Sequence, residues 1–490
     1  MNQFERELMR RSPLAACVLE TCDFIFDDAF LRSIWDEHRG RCYEDVLKFE
    51  DFLRLMRDAL VNHGGSAHRV FVDLEASDEQ PCDESNFYRK LARTPVAISR
   101  ALLREGSQRL RQLLPPSAGP VVQLPECFAR YTLFAGDGKK IKDAAKRLAP
   151  TRGYRGRLLG AKALVAMDLR CGMALAMSDS LDGMTNDVPL VPELMAQLRQ
   201  TIAGPVLGVW DRQFDDVRTM RHFAAREGDA FVVRAKQIDA IYVVESAVQS
   251  TDGQGRRVLD EIGVLGQGDK QMRLRRITLF RGSSSGSGGG GKKKGAGAKT
   301  DKKAKGLAKD VAAEEQDDDV VLLSNLLDRA AFSAADLLAL YKHRWGIEQV
   351  FQQVTETFAL SHLIGSSPKA TLLQFAYCLL LYNLMQLIKV YVARDGNVMA
   401  SVVSMFYLFN DVKKELSAWA YHTDGGWPRT QRDARQMRDR LAELLTGSWH
   451  PVTYAKASDK KPRKKPIPKP LLRGGHTSVQ RILDGKVVLA

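Results

Sequence analysis

Residues 130–138 read RYTLFAGDG, 161–170 read AKALVAMDLR and 171–179 read CGMALAMSD. Each is a short apolar run, and turn-like or basic segments separate them, so the spacing predicts three adjacent β-strands. PELMAQLRQTI (192–202) then has helical spacing, PVLGVWD (205–211) reads as a buried strand, FDDVRTMRHFAAREG (214–228) as a helix and AFVVRAK (230–236) as a strand. That succession predicts an α/β layout around a mixed sheet. IYVVESAV (241–248), RRVLDEIGVL (256–265) and MRLRRITLF (272–280) predict further strands, a small β insertion.

Upstream, residues 1–125 read as mainly helical. FDDAFLRSIWDEHRGRCYEDVLKFEDFLRLMRDALV (26–61) carries 3.6-type apolar spacing, and PPSAGP (115–120) marks a boundary. Downstream of the insertion, residues 283–310 are glycine, serine and lysine with almost no apolar side chain, which predicts a disordered basic loop. DVVLLSNLL (319–327) resumes as a core strand, and SAADLLALYKHRWGIEQVFQQV (333–354) begins a long helix with Ser333 as N-cap and Asp336 three residues on. The expected organisation is therefore a helical N-terminal region (1–125) and a first part of the core (126–237). The β insertion (238–319) follows, then the second part of the core (320–395) and a helical C-terminal region with a basic tail (396–490). One stretch, ATLLQFAYCLLLYNLMQLI (370–388), has no formal charge over nearly a membrane span. Its isolation and its Gln374, Asn383 and Gln386 favour a buried core helix, so no membrane is expected.

The 490-residue chain has 73 Lys and Arg against 59 Asp and Glu, a net charge of +14. With a pI near 9.4, that balance favours nucleic acid or another polyanion as partner. Seven scattered cysteines without a CxxC pair argue against a disulfide framework and a structural zinc site, and suit a reducing cytoplasm. The N-terminus, with acids and no apolar run, predicts no signal peptide.

Three acids stand out. Strand one is expected to end in Asp137-Gly138, strand four in Asp211-Arg212, and the late helix carries Glu348. If the first and fourth strands are neighbours, both aspartates meet at the strand ends, and a carboxylate on a crossing helix completes the cluster. Three anions share so small a volume only with compensating cations, for which hard divalent ions with oxygen ligands are natural. Two such ions about 3.5–4 Å apart would clamp the attacking and leaving oxygens of a phosphoryl displacement. On one helix Tyr341, Arg344 and Glu348 also share a face, at i, i+3 and i+7. Taken singly, Asp137 can be a turn residue, Asp211 a cap and Arg344–Glu348 a surface pair; Trp345 and Phe351 read as core.

AGDG, VWDR and the Y-x2-R-x3-E run resemble the DDE transposases of bacterial insertion sequences, in the insertion-sequence-four branch with its Y-R-E-K signature. The resemblance spans roughly residues 25–395. It implies a ribonuclease-H-like catalytic core interrupted by a β insertion between the second acid and the glutamate. It further implies Asp137, Asp211 and Glu348 as catalytic metal ligands for Mg²⁺, with Mn²⁺ able to substitute, in two ions. Tyr341, Arg344 and Arg212 would contact DNA phosphates, as would Thr355, which occupies the position of the signature lysine and keeps a hydroxyl without the charge. The implied activity is metal-dependent cleavage at the ends of an element and strand transfer into target DNA. The partners would be double-stranded terminal repeats and target DNA, bound by a homodimer in a synaptic complex in the bacterial cytoplasm, at the nucleoid. The alternatives are a domesticated nuclease of the same fold and a DNA-binding protein with an impaired site. The arginine-rich N-terminal helices and the basic tail at 456–473 are the expected DNA contacts outside the core.

Overall fold

The computed structural model describes residues 3–44, 46–78, 80–116, 122–236, 242–268, 271–280, 319–357, 360, 363–423, 431–450 and 475–487. The glycine–lysine loop and the tail at 456–473 lie outside them. Seven helices open the chain: α1 (Gln3–Arg11), α2 (Pro13–Ile25), α3 (Asp28–His38), α4 (Phe49–Val61), α5 (Ala67–Ala76), α6 (Glu84–Arg93) and α7 (Val96–Gln112). There follow β1 (Thr132–Lys142), β2 (Arg157–Asp168), β3 (Ala174–Ser180), α8 (Val191–Arg199), β4 (Val206–Trp210), α9 (Val217–Phe223) and β5 (Ala230–Arg234), the succession that the apolar runs predict. Next come β6 (Tyr242–Thr251), β7 (Arg257–Leu265) and β8 (Met272–Leu279), the strands expected between 238 and 281, and then β9 (Val320–Ser324), α10 (Ala334–Lys342) and α11 (Gly346–Thr357). The chain closes with α12 (Pro368–Asp395), α13 (Met405–Thr423), α14 (Ala434–Leu444), β10 (His476–Ser478) and α15 (Val479–Leu483). Two compact units divide it: residues 1–208 with 343–490, and residues 209–342.

In the first unit β2 is the organising strand. It is buried along all but its first residue, the signature of a strand covered on both faces. β1 runs antiparallel along one edge, pairing Asp137 with Val165. β3 (antiparallel) and β10 (parallel) share the other edge. β4, whose first three residues belong to this unit, follows β1 in the sheet order, and the Thr132 amide donates to the Pro205 carbonyl at 3.0 Å. The apolar stretch at 370–388 lies in α12. This helix is long and apolar enough to cross a membrane, yet its whole apolar window is packed inside the protein. Its polar residues explain why: Asn383 donates to Ser107 Oγ and to the Ala174 carbonyl and accepts from the Ala174 amide, each at 2.8 Å. Those bonds tie α12 to α7 and β3 and satisfy an amide that burial would otherwise penalise by roughly 1–3 kcal/mol. Gly106 lets the helices close, since a Cβ there would sit 2.8 Å from Leu380.

In the second unit the strands run β5, β9, β8, β7, β6, antiparallel from β5 to β6. Trp210 stacks on Phe223 with centroids 4.2 Å apart, and Phe223 meets Phe231 at 5.7 Å. Arg275, fully buried, forks onto Asp260 at 2.9 and 2.7 Å and donates to the Phe332 carbonyl at 2.6 Å, the bidentate geometry that makes a buried pair tolerable. Ser333 caps α10 as expected, accepting from the Asp336 amide at 3.1 Å.

Two local readings need correction. The helix expected to run unbroken from 333 is interrupted: His343–Trp345 form a 3₁₀ turn between α10 and α11. The tighter turn advances the side chains by a different angle, so the single-helix phase shared by Tyr341 and Glu348 does not carry through. Trp345 is correspondingly 36% exposed rather than core, whereas Phe351 is buried.

Candidate functional site

β1 does not end at Asp137. It continues to Lys142, so Asp137 sits inside the strand, where the polar run that follows AGDG had looked like a turn. Its carboxylate accepts from the Gly138 amide at 2.8 Å. Burial, with Glu348 and Asp187 close by, pushes its pKa up to about 6, against the pull of the Gly138 amide and Arg344. Asp137 and Glu348, distant in sequence, are thus within electrostatic reach of each other in the first unit. Glu348 stands on the first turn of α11 and is half-exposed, and accepts from Arg344 Nη2 at 3.2 Å. Arg344 is only 3% exposed and lies over the Trp345 ring, 4.7 Å from its centroid. The i, i+4 pair therefore survives the break in the helix, with a buried guanidinium holding a reachable carboxylate.

Asp187, Lys162 and Lys139, which lie around Asp137, were not singled out from the sequence. Asp187, in the loop before α8, is buried and paired with the buried Lys162 of β2. It packs directly on Gly138, where a Cβ would come within 1.9 Å of its Oδ1. A lysine in the middle of the apolar run AKALVAMD was the available signal, because a buried ammonium requires a carboxylate partner. Lys139, two residues beyond Asp137 on the same strand face, rests over the Phe351 ring of α11 at 5.6 Å. Burial lowers its pKa, and nearby Lys142 adds to that. Thr355 is half-buried, and its hydroxyl donates to the Phe351 carbonyl of its own helix at 2.7 Å.

Asp211, Arg212 and Tyr341 belong to the second unit. Asp211 follows β4 directly and accepts from the Arg212 amide at 2.6 Å, capping the short turn Arg212–Phe214. Arg212 is exposed and Tyr341 is buried. Among the described residues no three His, Cys, Asp or Glu side chains are grouped to hold a metal ion. The carboxylate oxygens at Asp137 and Glu348 are nevertheless hard donors. Acid neighbours and burial leave Asp137 short of compensating positive charge, a setting that a divalent cation fits.

The sequence profile of the Transposase DDE domain family matches residues 131–384, just over half of the chain. The chain belongs to the DDE transposases, a family that works with divalent metal ions. No curated protein matches it in sequence. A solved structure similar to it is the cryo-EM structure of a piggyBac transposase synaptic complex with hairpin DNA. The two are 13% identical with a TM-score of 0.30, over 88% of this chain and 75% of that one.

Proposed function

We propose that this DDE transposase is a cut-and-paste enzyme of the insertion-sequence-four type, with a ribonuclease-H-like core. It would cleave DNA at the ends of an element and transfer the freed 3′-hydroxyl into target DNA. The observation that carries the reading is that Glu348 lies within electrostatic reach of Asp137, with Arg344 buried against the glutamate. Asp137 and Glu348 would hold Mg²⁺ or Mn²⁺, with Asp211 the third acid that the family resemblance implies. A bound divalent ion supplies Lewis acidity toward the phosphoryl oxygens. Arg344 orients Glu348 and offsets its charge, while Arg212, exposed, would fork onto a phosphate. Thr355 would join the phosphate contacts if its hydroxyl turned away from Phe351, whereas Tyr341, buried as it stands, would have to emerge to reach a phosphate. The partners would be duplex terminal repeats and target DNA, held by a homodimer.

The second reading, a DNA-binding protein with an impaired site, has one observation in its favour: Thr355 has no charge and its hydroxyl is bonded within its own helix. The deciding experiment uses the DNA flanking the gene as substrate, with Mg²⁺ or Mn²⁺. Wild type should cut at a defined end, and Glu348→Gln, which keeps the size and removes the charge, should bind that end without cutting it. End binding by both forms with no cleavage by either would favour the impaired reading.

A further inference from the structure

We propose that the end of β1 and its connector to β2 form a track for the phosphodiester backbone of duplex DNA, leading away from Asp137. This rests on the transposase reading of the Asp137–Glu348 pair. Residues 139–157 contain eight Lys and Arg and a single acid, Asp143, so their net charge of +7 is half of the chain's +14. Seven of the eight cations are exposed, Lys139 being the exception. Among the described residues, Lys140, Lys142, Arg152 and Arg155 make no ion pair, and Asp143 reaches only Arg157, at 3.8 Å.

The connector is pinned at several points rather than left as a solvated loop. Arg147 donates to the Ile364 carbonyl at 2.8 Å, Thr151 Oγ1 to the Leu148 carbonyl at 2.8 Å, and Tyr154 OH to the Gly475 carbonyl at 2.9 Å. Arg157 lies in register with His476 of β10. Cations held in fixed positions without counter-charges repel one another, and a polyanion relieves that repulsion. The placement also suits the chemistry. At about 3.3 Å per strand residue, Lys139 to Lys142 stand roughly 7–17 Å along β1 from Asp137, Lys139 on the same face of the strand and Lys140 and Lys142 on the other. A DNA strand presents a phosphate about every 3.4 Å of helix axis, so cations on both sides of this narrow strand end, continued by the connector, match the spacing of a backbone that runs past it. Cations spaced along the chain at intervals close to those of successive phosphates suit the backbone rather than base edges, so the track is assigned backbone contacts without a sequence code.

The test is the full-length variant Lys140→Gln/Lys142→Gln/Arg152→Gln/Arg155→Gln, titrated with an element-end duplex and an unrelated duplex between about 50 and 200 mM salt. Expected is a fall of about 3 in the slope of log K against log salt. Affinity should weaken at least tenfold, by the same factor for both duplexes, with an unchanged melting temperature. An unchanged slope would overturn the track. So would a loss confined to the element end, stronger competition by single-stranded RNA than by duplex DNA, or the whole slope vanishing in a Lys460→Gln/Lys461→Gln/Lys464→Gln/Lys465→Gln variant. Binding and cleavage separate the two proposals. If no end is cut by wild type but the slope falls as expected, the track stands and the transposase chemistry fails. If the quadruple variant keeps the wild-type slope and wild type cuts, the reverse holds.

Discussion

Asp137 and Asp211 read alike in the sequence, each an aspartate at the end of an apolar strand, yet the fold treats them differently. Asp137 lies inside β1, largely buried beside two further acids, and its carboxyl is held at about 6. Asp211 lies just past β4, only partly buried, and its carboxylate accepts the amide of its own turn. One position is electrostatically loaded and gains from a cation; the other meets a local structural need whether or not a cation arrives. The same residue type therefore brings different energetics to the proposed site, and substitution at each position can separate structural from chemical roles.

The largest expected effect is shared by the two. On the proposed reading, Asp137→Asn and Asp211→Asn should each lower end cleavage by about 10³-fold or more, because each would remove an anionic ligand of divalent ions that would supply several kcal/mol. Rates measured on the same flanking duplex check this. Near-normal cleavage by Asp211→Asn alone would break the symmetry and make Asp187, already beside Asp137, the acid to substitute next.

Gly138→Ala should show how tightly the Asp137 side is built. The added Cβ would lie 1.9 Å from Asp187 Oδ1, so Asp187 must leave Lys162, and both of those side chains are buried. Disturbing such a pair should cost about 2–4 kcal/mol in thermal or urea unfolding. Gly204→Ala, with open space where the Cβ would go, should stay within about 0.5 kcal/mol. Equal stability of the two variants would show that Asp187 is not held where it lies.

A smaller effect, opposite in sign, concerns pH. Asp137 has a folded pKa near 6 against an ordinary 3.8, so between those values the folded chain holds the proton more tightly than the unfolded one. Its contribution to stability therefore falls as pH rises from about 4 to 6 and stays lost above that range. In chelator, Asp137→Asn should melt higher than wild type at pH 8, by about 1–3 kcal/mol, and at the same temperature at pH 4. Adding Mg²⁺ should raise the wild-type melting temperature and leave the variant where it was. Asp211→Asn keeps an acceptor for the Arg212 amide and should change stability by less than about 0.5 kcal/mol. Melting curves against pH would refute the contrast if the two variants behaved alike.

The strand succession β1–β5 and the buried helix α12 were legible because their information is local: apolar runs of strand length, turn residues, and a charge-free stretch with three amides. The interior position of Asp137 was not, since β1 continues through GKKIK, a polar run that looks like a loop until β2 is seen pairing with it as far as Lys142. The 3₁₀ turn at His343–Trp345 was equally hidden, because helical spacing persists on both sides of it. Asp187 carries no motif at all. Its place against Gly138 and Lys162 is tertiary, and only the odd lysine in an apolar strand hinted that an acid must come.

The smallest effect decides how Thr355 should be understood. A hydroxyl that donates to the carbonyl four residues back has no proton left for a phosphate, and such back-bonding contributes little to helix stability. Thr355→Val, equal in shape, should therefore change unfolding by less than about 0.5 kcal/mol and cleavage by no more than about twofold, roughly 0.4 kcal/mol of barrier. A large loss of cleavage would mean that the hydroxyl turns to the DNA once DNA is present. Thr355→Lys asks the complementary question, placing a cation two helical turns beyond Glu348. If it raises end affinity with a salt slope steeper by about 1 and speeds cleavage, the wild-type site lacks a charge. If neither changes, the charge is already supplied, and Lys139, resting against Phe351 one turn before Thr355, is the cation placed to supply it.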